Sequence, residues 1–521
     1  MTRALRDCFS RRSFLATAAS SSLVWPFANL RPAEAADRRV RTADYPFQLG
    51  VASGDPAPDG VVIWTRLAPD PLNGGGMPPD DVRVRWQIAL DEGMTRVVRR
   101  GLSTAAKDWG HSVHVEVQGL QADRTYWYQF EAAGETSPVG RTRTTPAGDV
   151  MLDRFRFAFA SCQHYESGYF TALRHLAEED LQAVVHLGDY IYEGKASQGK
   201  PRQHNSDEIV SLDDYRNRYA LYRVDKDLQA AHAAFPWIVT WDDHEFDNNC
   251  AGDHSEEPNV AAELFLKRRA AAYQAYYEYM PLRRSALPHG PMMQLYRNVT
   301  YGRLVQFSVL DTRQYRTDQP CGDGNKHPCD GVYDPNATLL GNIQEKWLCD
   351  GLVASPARWN ILAQQVMMAR VDRTPGDAVA WSMDQWAGYD VGRKRLLKFM
   401  ADHKVSNPVV LTGDIHTNWV NDLQVDFDAE KSPVVATEFV GTSITSGGDG
   451  AERRDDTDGV LTDNPFVKFY NAERGYIRCD ITPQQWRTDF RVVPIVTKPD
   501  SPCLTRASFV VEAGKAGAER V

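Results

Sequence analysis

Beyond its first thirty residues the sequence has no long run of apolar side chains. A membrane-spanning helix needs about 18 to 20 of them, so a polytopic membrane protein is excluded. There is no internal repeat and no low-complexity segment, which excludes collagen and coiled coil. Positive charge is in deficit: 59 Lys and Arg stand against 69 Asp and Glu, a formal net charge of −10. Nucleic acid is therefore not expected as the main partner, because phosphate backbones are held by clustered cations. A small phosphorylated substrate is still allowed, since a local positive site, often a metal, can hold it whatever the total charge. Cysteine is scarce, with 8 in 521 residues, whereas apolar residues make up 42% and aromatics 10%, enough for a large core.

The opening segment reads as an address. Ser10-Arg11-Arg12-Ser13-Phe14-Leu15 is a twin-arginine motif, a mildly apolar stretch runs on to about Leu30, and Ala33-Glu34-Ala35 offers a small-x-small cleavage site. Residues 1–35 are expected to be a twin-arginine signal peptide, with the export machinery as partner and a periplasmic or secreted destination. This route carries folded proteins and is used where a metal must be inserted before crossing. In an oxidising compartment most of the remaining cysteines would pair. Cys321 and Cys329 flank a short Gly/Asn/Pro loop and are expected to bridge, or one of them to reach Cys349. Cys479 and Cys503 are a second candidate pair, and Cys162 is the expected odd thiol.

Residues 36–148 read as a small β-sandwich of the fibronectin or immunoglobulin type. Short segments rich in β-formers, such as Val82 to Leu90 and Val113 to Val117, alternate with Pro/Gly/Asp clusters. The run from Leu120 to Tyr128 resembles a tyrosine corner. Thr144 to Gly148 reads as a linker. From residue 149 to 521 apolar strands alternate with helical stretches, which implies a layered α/β domain.

Ligand-type residues collect where these strands end, as they do in open α/β sheets. Phe155 to Ala160 runs into Cys162 and His164. Val184 to Leu187 runs into Gly188, Asp189 and Tyr192. Trp237 to Trp241 runs into Asp242, Asp243, His244 and Glu245. Pro408 to Leu411 runs into Asp414 and His416. Four strands delivering acids, imidazoles, a thiol and a phenol to one edge would be costly to pack without cations. A polynuclear metal site is therefore expected.

Gly188-Asp189-x-x-Tyr192, Asp243-His244-Glu245 and Gly413-Asp414-x-His416 resemble the signature of the binuclear metallophosphatases, the calcineurin and purple acid phosphatase superfamily. Asp243 stands where that signature has Asn, and Asp414 where it has His. With Cys162, the amino-terminal β region and the leader, the chain most resembles the PhoD-like alkaline phosphatases. The resemblance implies a four-layer metallophosphatase β-sandwich flanked by helices. It implies a ferric ion held by Cys162, Asp189, Tyr192 and His416, with Asp189 bridging to a calcium ion that Asp243 and Asp414 also hold. A second calcium ion is implied, with Asp242 and Asn248 as candidate ligands. Softness agrees: thiolate, phenolate and imidazole suit a transition metal, and added carboxylates suit calcium. The charges of three such cations exceed those of their anionic ligands by about a phosphate dianion.

The implied activity is hydrolysis of phosphate monoesters or diesters by a metal-activated hydroxide, with His244 near the leaving oxygen. Arg216, Arg218 and Arg223, on an expected helix from Tyr215 to Arg223, are candidates to reach the phosphate, and His164 is a candidate substrate contact. The loops from Lys195 to Ser211 and from Pro320 to Gly341 are expected to shape the entrance. Three other readings stay open: a phosphodiesterase or phospholipase D on the same metals, a non-haem iron oxidoreductase, and a secreted binding protein stapled by metals.

Overall fold

The computed structural model describes residue 42 and residues 44–521 except 375 and 430. Residues 1–35, expected to be a signal peptide, lie outside the described residues.

A ten-stranded sheet has the parallel strands Phe155–Ala160, Ala183–His186 and Pro236–Val239 at its centre. Antiparallel strands from Arg474–Ile481 to Glu519–Arg520 extend one side. A seven-stranded sheet has four parallel strands in its middle: Val305–Val309, Trp359–Ala363, Pro408–Thr412 and Val434–Val440. The two sheets share a core. Phe155, Phe157 and Phe159 point into it and meet Val305, Phe307, Trp359 and Val409. Alternation along the same strand sends Ala158 and Ala160 to the opposite face, into a core with residues of the helices Thr171–Ala177, Leu212–Arg223 and Ala262–Tyr279. The far face of the seven-stranded sheet buries Leu362, Val410 and Val440 with residues of the helices Gly341–Ala354 and Asp390–Asp402. Strands buried on both faces are continuous apolar runs, as the sequence has them.

The amino-terminal strands are not one free-standing sandwich. Val51–Ala57 pairs in parallel with Pro236–Val239, and Gly60–Arg66 and Ser112–Gln118 follow it, so these three belong to the ten-stranded sheet. Gly54 permits the join: a Cβ there would lie 2.7 Å from Trp237 O and 2.6 Å from Pro281 O. The strands Val82–Ala89, Val97–Ala105, Thr125–Ala132, Glu135–Thr136 and Gly140–Arg143 form a separate sheet. Tyr126 Oη accepts from Gln121 N–H at 2.8 Å, the bond of a tyrosine corner. The stretch read as a linker is tied down: Thr144 and Thr145 are buried, and Thr145 N–H donates to Ala57 O at 3.2 Å.

Cys321 and Cys329 form a disulfide, and Cys162, Cys250, Cys349, Cys479 and Cys503 are free thiols. The candidate pair Cys479–Cys503 is not made. Cys479 points into the core between the two sheets, whereas Cys503 packs on the helical side, its thiol 3.8 Å from Tyr476 Oη. The sheet itself separates them.

Candidate metal centre

The four strand ends converge. Cys162 N–H donates to Gly188 O at 3.1 Å and Gln163 N–H to Asp189 O at 3.0 Å, which ties the ends of the first two strands together. Ser446 N–H donates to Cys162 O at 3.2 Å and brings in the segment after Val434–Val440. Cys162, Asp189, Asp414 and His416 all have φ between 56° and 66°, the left-handed region that non-glycine residues avoid. Such backbone is held only where the surroundings over-determine it, and it gathers at functional sites. Gly188 fills a different need. A Cβ there would lie 2.4 Å from both Cβ and N of Asp242, so the tight crossing of two strand ends requires glycine.

The ligand-type atoms form linked groups. Within each of three sets every donor lies within 4.8 Å of the others: Cys162, Asp189 and His416; Asp189, Asp243 and His244; Asp242, Asp243 and Asp414. The first two share Asp189, and the last two share Asp243. Tyr192 Oη donates to Asp189 Oδ2 at 2.7 Å and stands 3.2 Å from His416 Nε2, which places the phenol in the first set.

The chemistry of these donors fits cations. Asp189 Oδ1 and Asp242 Oδ2 are buried with no hydrogen-bond partner, an arrangement a protein avoids unless something else satisfies them. Burial pushes the Asp189 carboxyl well up; Asp243, Asp242 and Glu245 push the same way, and His244 opposes them. Burial and then Asp189 raise the Cys162 thiol, and burial followed by Asp189 and Cys162 raises the Tyr192 phenol. Asp414 is raised to about 6 by burial and Asp384, with Arg313 opposing. Each of these groups resists becoming an anion in the protein alone. A bound cation would reverse that preference and make the thiol and phenol available as ligands.

His244 is fixed from behind. Its Nδ1 stands 2.7 Å from Glu193 Oε2, and Glu193 Oε1 accepts from Asn248 N–H at 2.9 Å. A carboxylate only accepts, so Nδ1 carries the proton and Nε2 is left for the site. Burial disfavours charge on His244, but Glu193, Asp189 and Asp243 outweigh it and raise the imidazole well above its usual range.

Of the other candidates, the structure brings Asp242 and His164 close and sends the rest elsewhere. The His164 ring stands edge-on to Tyr192 with centroids 4.5 Å apart, and its Nδ1 lies 3.0 Å from Ser167 Oγ. Asn248 turns its side-chain nitrogen to Glu256. Arg216 gives its guanidinium to Glu278, at 2.6 and 2.7 Å. Arg218 is fully buried and donates to the carbonyls of Tyr192 and Gly194, so it braces the segment carrying Tyr192 and Glu193. Arg223 lies over Trp64 at 4.4 Å and donates to Leu49 O. These three arginines serve the scaffold and do not point at the cluster.

Sequence reasoning missed an arginine that does. Arg313, fully buried, donates to Asp242 Oδ1 at 2.5 Å, Asp384 Oδ1 at 2.7 Å and Asp414 Oδ1 at 3.4 Å, and stands 3.6 Å from Asp243 Oδ2. Arg316 donates to Asp384 Oδ1 at 2.6 Å. Arg313 follows the strand Val305–Val309, a further parallel strand whose end carried the signal but not in the form of a metal ligand. Glu245 was also missed as an organiser. It accepts N–H bonds from Asp189 at 3.0 Å, Tyr190 at 2.7 Å and Asp242 at 2.8 Å, holding two strand ends at once.

The chain is similar to known proteins along most of its length. A family model for PhoD-like phosphatase matches residues 157–490, and one for the PhoD-like phosphatase N-terminal domain matches residues 32–146. Alkaline phosphatase D of Bacillus subtilis (strain 168) is 52% identical over 523 residues, covering 99% of this chain and 90% of that protein. A solved structure of PhoD aligns with a TM-score of 0.90 at 53% identity, covering 92% of this chain and 93% of that one.

Proposed function

The chain belongs to the PhoD-like phosphatase family and is a phosphoric ester hydrolase, and from that premise we propose that it works through one ferric ion and two calcium ions on phosphate monoesters, diesters or both. Cys162, Asp189, Tyr192 and His416 would hold the iron. Asp189 would bridge to a calcium ion shared with Asp243 and Asp414, and Asp242 Oδ2, buried and partnerless, would add to the calcium sites. The observation that carries this reading is the pair of buried, partnerless carboxylate oxygens on Asp189 and Asp242, beside a buried thiol and phenol. Asp242 and Asp384 are offset by Arg313 and Arg316, so the positive excess of the metal set remains available for a phosphate dianion.

When bound, the metals supply Lewis-acid stabilisation of the phosphoryl oxygens and an activated water. The chain's own part is positioning and proton delivery. Glu193 holds the Nδ1 proton of His244, which leaves Nε2 to serve the leaving oxygen. Glu245 and Arg218 fix the backbones that carry Asp189, Asp242 and Tyr192. We read residues 1–35 as the export leader, which Arg11→Lys with Arg12→Lys should disable.

The test pairs two substrates with one variant. Nitrophenyl phosphate, its bis ester or both should be hydrolysed, and chelation should abolish the activity. His244→Ala should keep its metals while turnover falls about 100-fold or more. Activity untouched by chelation, or unchanged in His244→Ala, would contradict the proposal.

A further inference from the structure

Two buried serines touch the thiol and the phenol of the site. Ser161 follows the strand Phe155–Ala160, Ser446 lies beyond the strand Val434–Val440, and each is 1% exposed. The two segments are clamped together: Ile444 N–H donates to Ser161 O at 3.0 Å, and Ser446 N–H donates to Cys162 O at 3.2 Å. A serine hydroxyl has one proton and two lone pairs, so its partners can be counted.

Ser161 Oγ stands 3.1 Å from Cys162 Sγ, and among the described residues it has no other hydrogen-bond partner. As a thiol, Cys162 donates to it, and the serine's own proton finds no acceptor. As a thiolate, Cys162 accepts that proton. Gly413 keeps the room for this hydroxyl. A Cβ there would lie 2.5 Å from Ser161 Oγ and 2.9 Å from Ser161 Cβ, and Gly413 is not in the left-handed region, so space rather than backbone conformation calls for glycine.

Ser446 Oγ accepts from His164 N–H at 3.1 Å and stands 2.7 Å from both Cys162 O and Tyr192 Oη. Its one proton serves one of these two oxygens at a time. As a phenol, Tyr192 donates to Asp189 Oδ2 at 2.7 Å. As a phenolate it can only accept. Asp189 has no proton to return, and a ligating His416 Nε2, at 3.2 Å, has none either. Ser446 is then the donor left within reach. The electrostatics agree with the count. Burial and Asp189 raise both Cys162 and Tyr192, whereas the Ser161 and Ser446 hydroxyls pull the two groups toward their anions.

We propose, on the iron reading above, that the Ser161 and Ser446 hydroxyls are the hydrogen-bond donors to the thiolate and phenolate of the iron site, and that they moderate how much electron density these ligands give the iron. A hydrogen bond to a ligand anion stabilises it and weakens its donation. The iron is thereby kept a stronger Lewis acid toward a phosphoryl oxygen than bare thiolate and phenolate would leave it. Both serines are positioning residues, acting through Cys162 and Tyr192.

The visible absorption of the iron-loaded, full-length protein reads both contacts. Ser161→Ala and Ser446→Ala should each move the charge-transfer band to longer wavelength and lower the iron's reduction potential, because an anion without its donor gives up an electron more easily. Ser446→Thr, which keeps the hydroxyl, should restore the band, and a merely structural role would leave it unmoved throughout. Should a variant fail to fold, resonance Raman of the wild type in D2O reads the same contact. Its iron–sulfur vibration should shift, since among the described residues Ser161 carries the exchangeable proton next to Cys162 Sγ. Bands unmoved in alanine variants that hold iron, or an iron–sulfur vibration indifferent to D2O, would overturn the proposal. A wild type with no visible band would remove the iron reading itself, and this assignment with it.

Discussion

Glu193 and His244 form a fixed pair: Oε2 of the acid stands 2.7 Å from Nδ1 of the imidazole, and the acid's other oxygen is held by Asn248 N–H. In the proposed mechanism this pair orients the imidazole that would exchange a proton with substrate. Glu193→Gln keeps the shape and removes the strong acceptor. Turnover should fall about 10- to 100-fold with metal content unchanged, and Glu193→Asp should recover part of it. Elemental analysis alongside turnover checks this; equal turnover in all three proteins would contradict the role.

Arg313 is an internal cation among Asp242, Asp243, Asp384 and Asp414. Removing one partner of a buried charge network costs about 3–5 kcal/mol. Arg313→Met should lose stability of that order in the metal-free protein. Added calcium should then raise its melting temperature more than it raises that of the wild type, because the ion meets carboxylates with less competition. Denaturant unfolding with and without calcium measures both effects.

Two buried histidines flank Trp237, His186 with ring centroids at 5.8 Å and His232 at 3.8 Å. Burial pushes His186 down to about 3, and burial with Arg223 and His186 pushes His232 well below its usual value. Unfolded histidine titrates near 6.5. Protons therefore bind the unfolded chain first: the stability is complete above about pH 6.5 and drains as pH falls toward 3. Each histidine contributes a slope of about 1.4 kcal/mol per pH unit in that window. Urea unfolding between pH 6.5 and 4.5 should show it, and His186→Phe should lower the slope by one such share.

The disulfide between Cys321 and Cys329 closes a short loop that leans on the site. Asn249 Nδ2 donates to Asp323 Oδ2 at 2.6 Å, and Asn249 N–H donates to Asp243 Oδ2 at 2.7 Å. Closing so short a loop is worth about 2–3 kcal/mol in the chain-entropy account. The double variant Cys321→Ser, Cys329→Ser should lose that much, and reductant should bring the wild type to the same midpoint. A variant as stable as the oxidised wild type would contradict this.

The sequence made the strands and their ends legible for one reason. A strand buried on both faces must be an unbroken apolar run, and polar residues crowding after four such runs need a common purpose. Phe155–Ala160 was read to the residue. The pairing of Ser53 with Pro236 was not legible, because it joins segments distant in the chain and only the space at Gly54 hints at it. Nor was the separation of Cys479 from Cys503, which depends on which face each residue takes. The three helical arginines were misread for a reason the sequence did contain. At about 100° per residue, Arg216 and Arg218 lie on nearly opposite sides of their helix and could not share a target. Arg313 was overlooked because a cation does not look like a metal ligand, although its place at a strand end was the same.

The central claim is that the buried acids, thiol, phenol and imidazole are the ligands of a mixed iron and calcium centre that hydrolyses phosphoesters. Metal analysis of the purified, active protein tests it most directly. The account predicts about one iron and two calcium per chain, with iron lost and visible absorption gone in Cys162→Ser and weakened in Tyr192→Phe. Full activity with zinc as the sole metal, or with no metal at all, would contradict it.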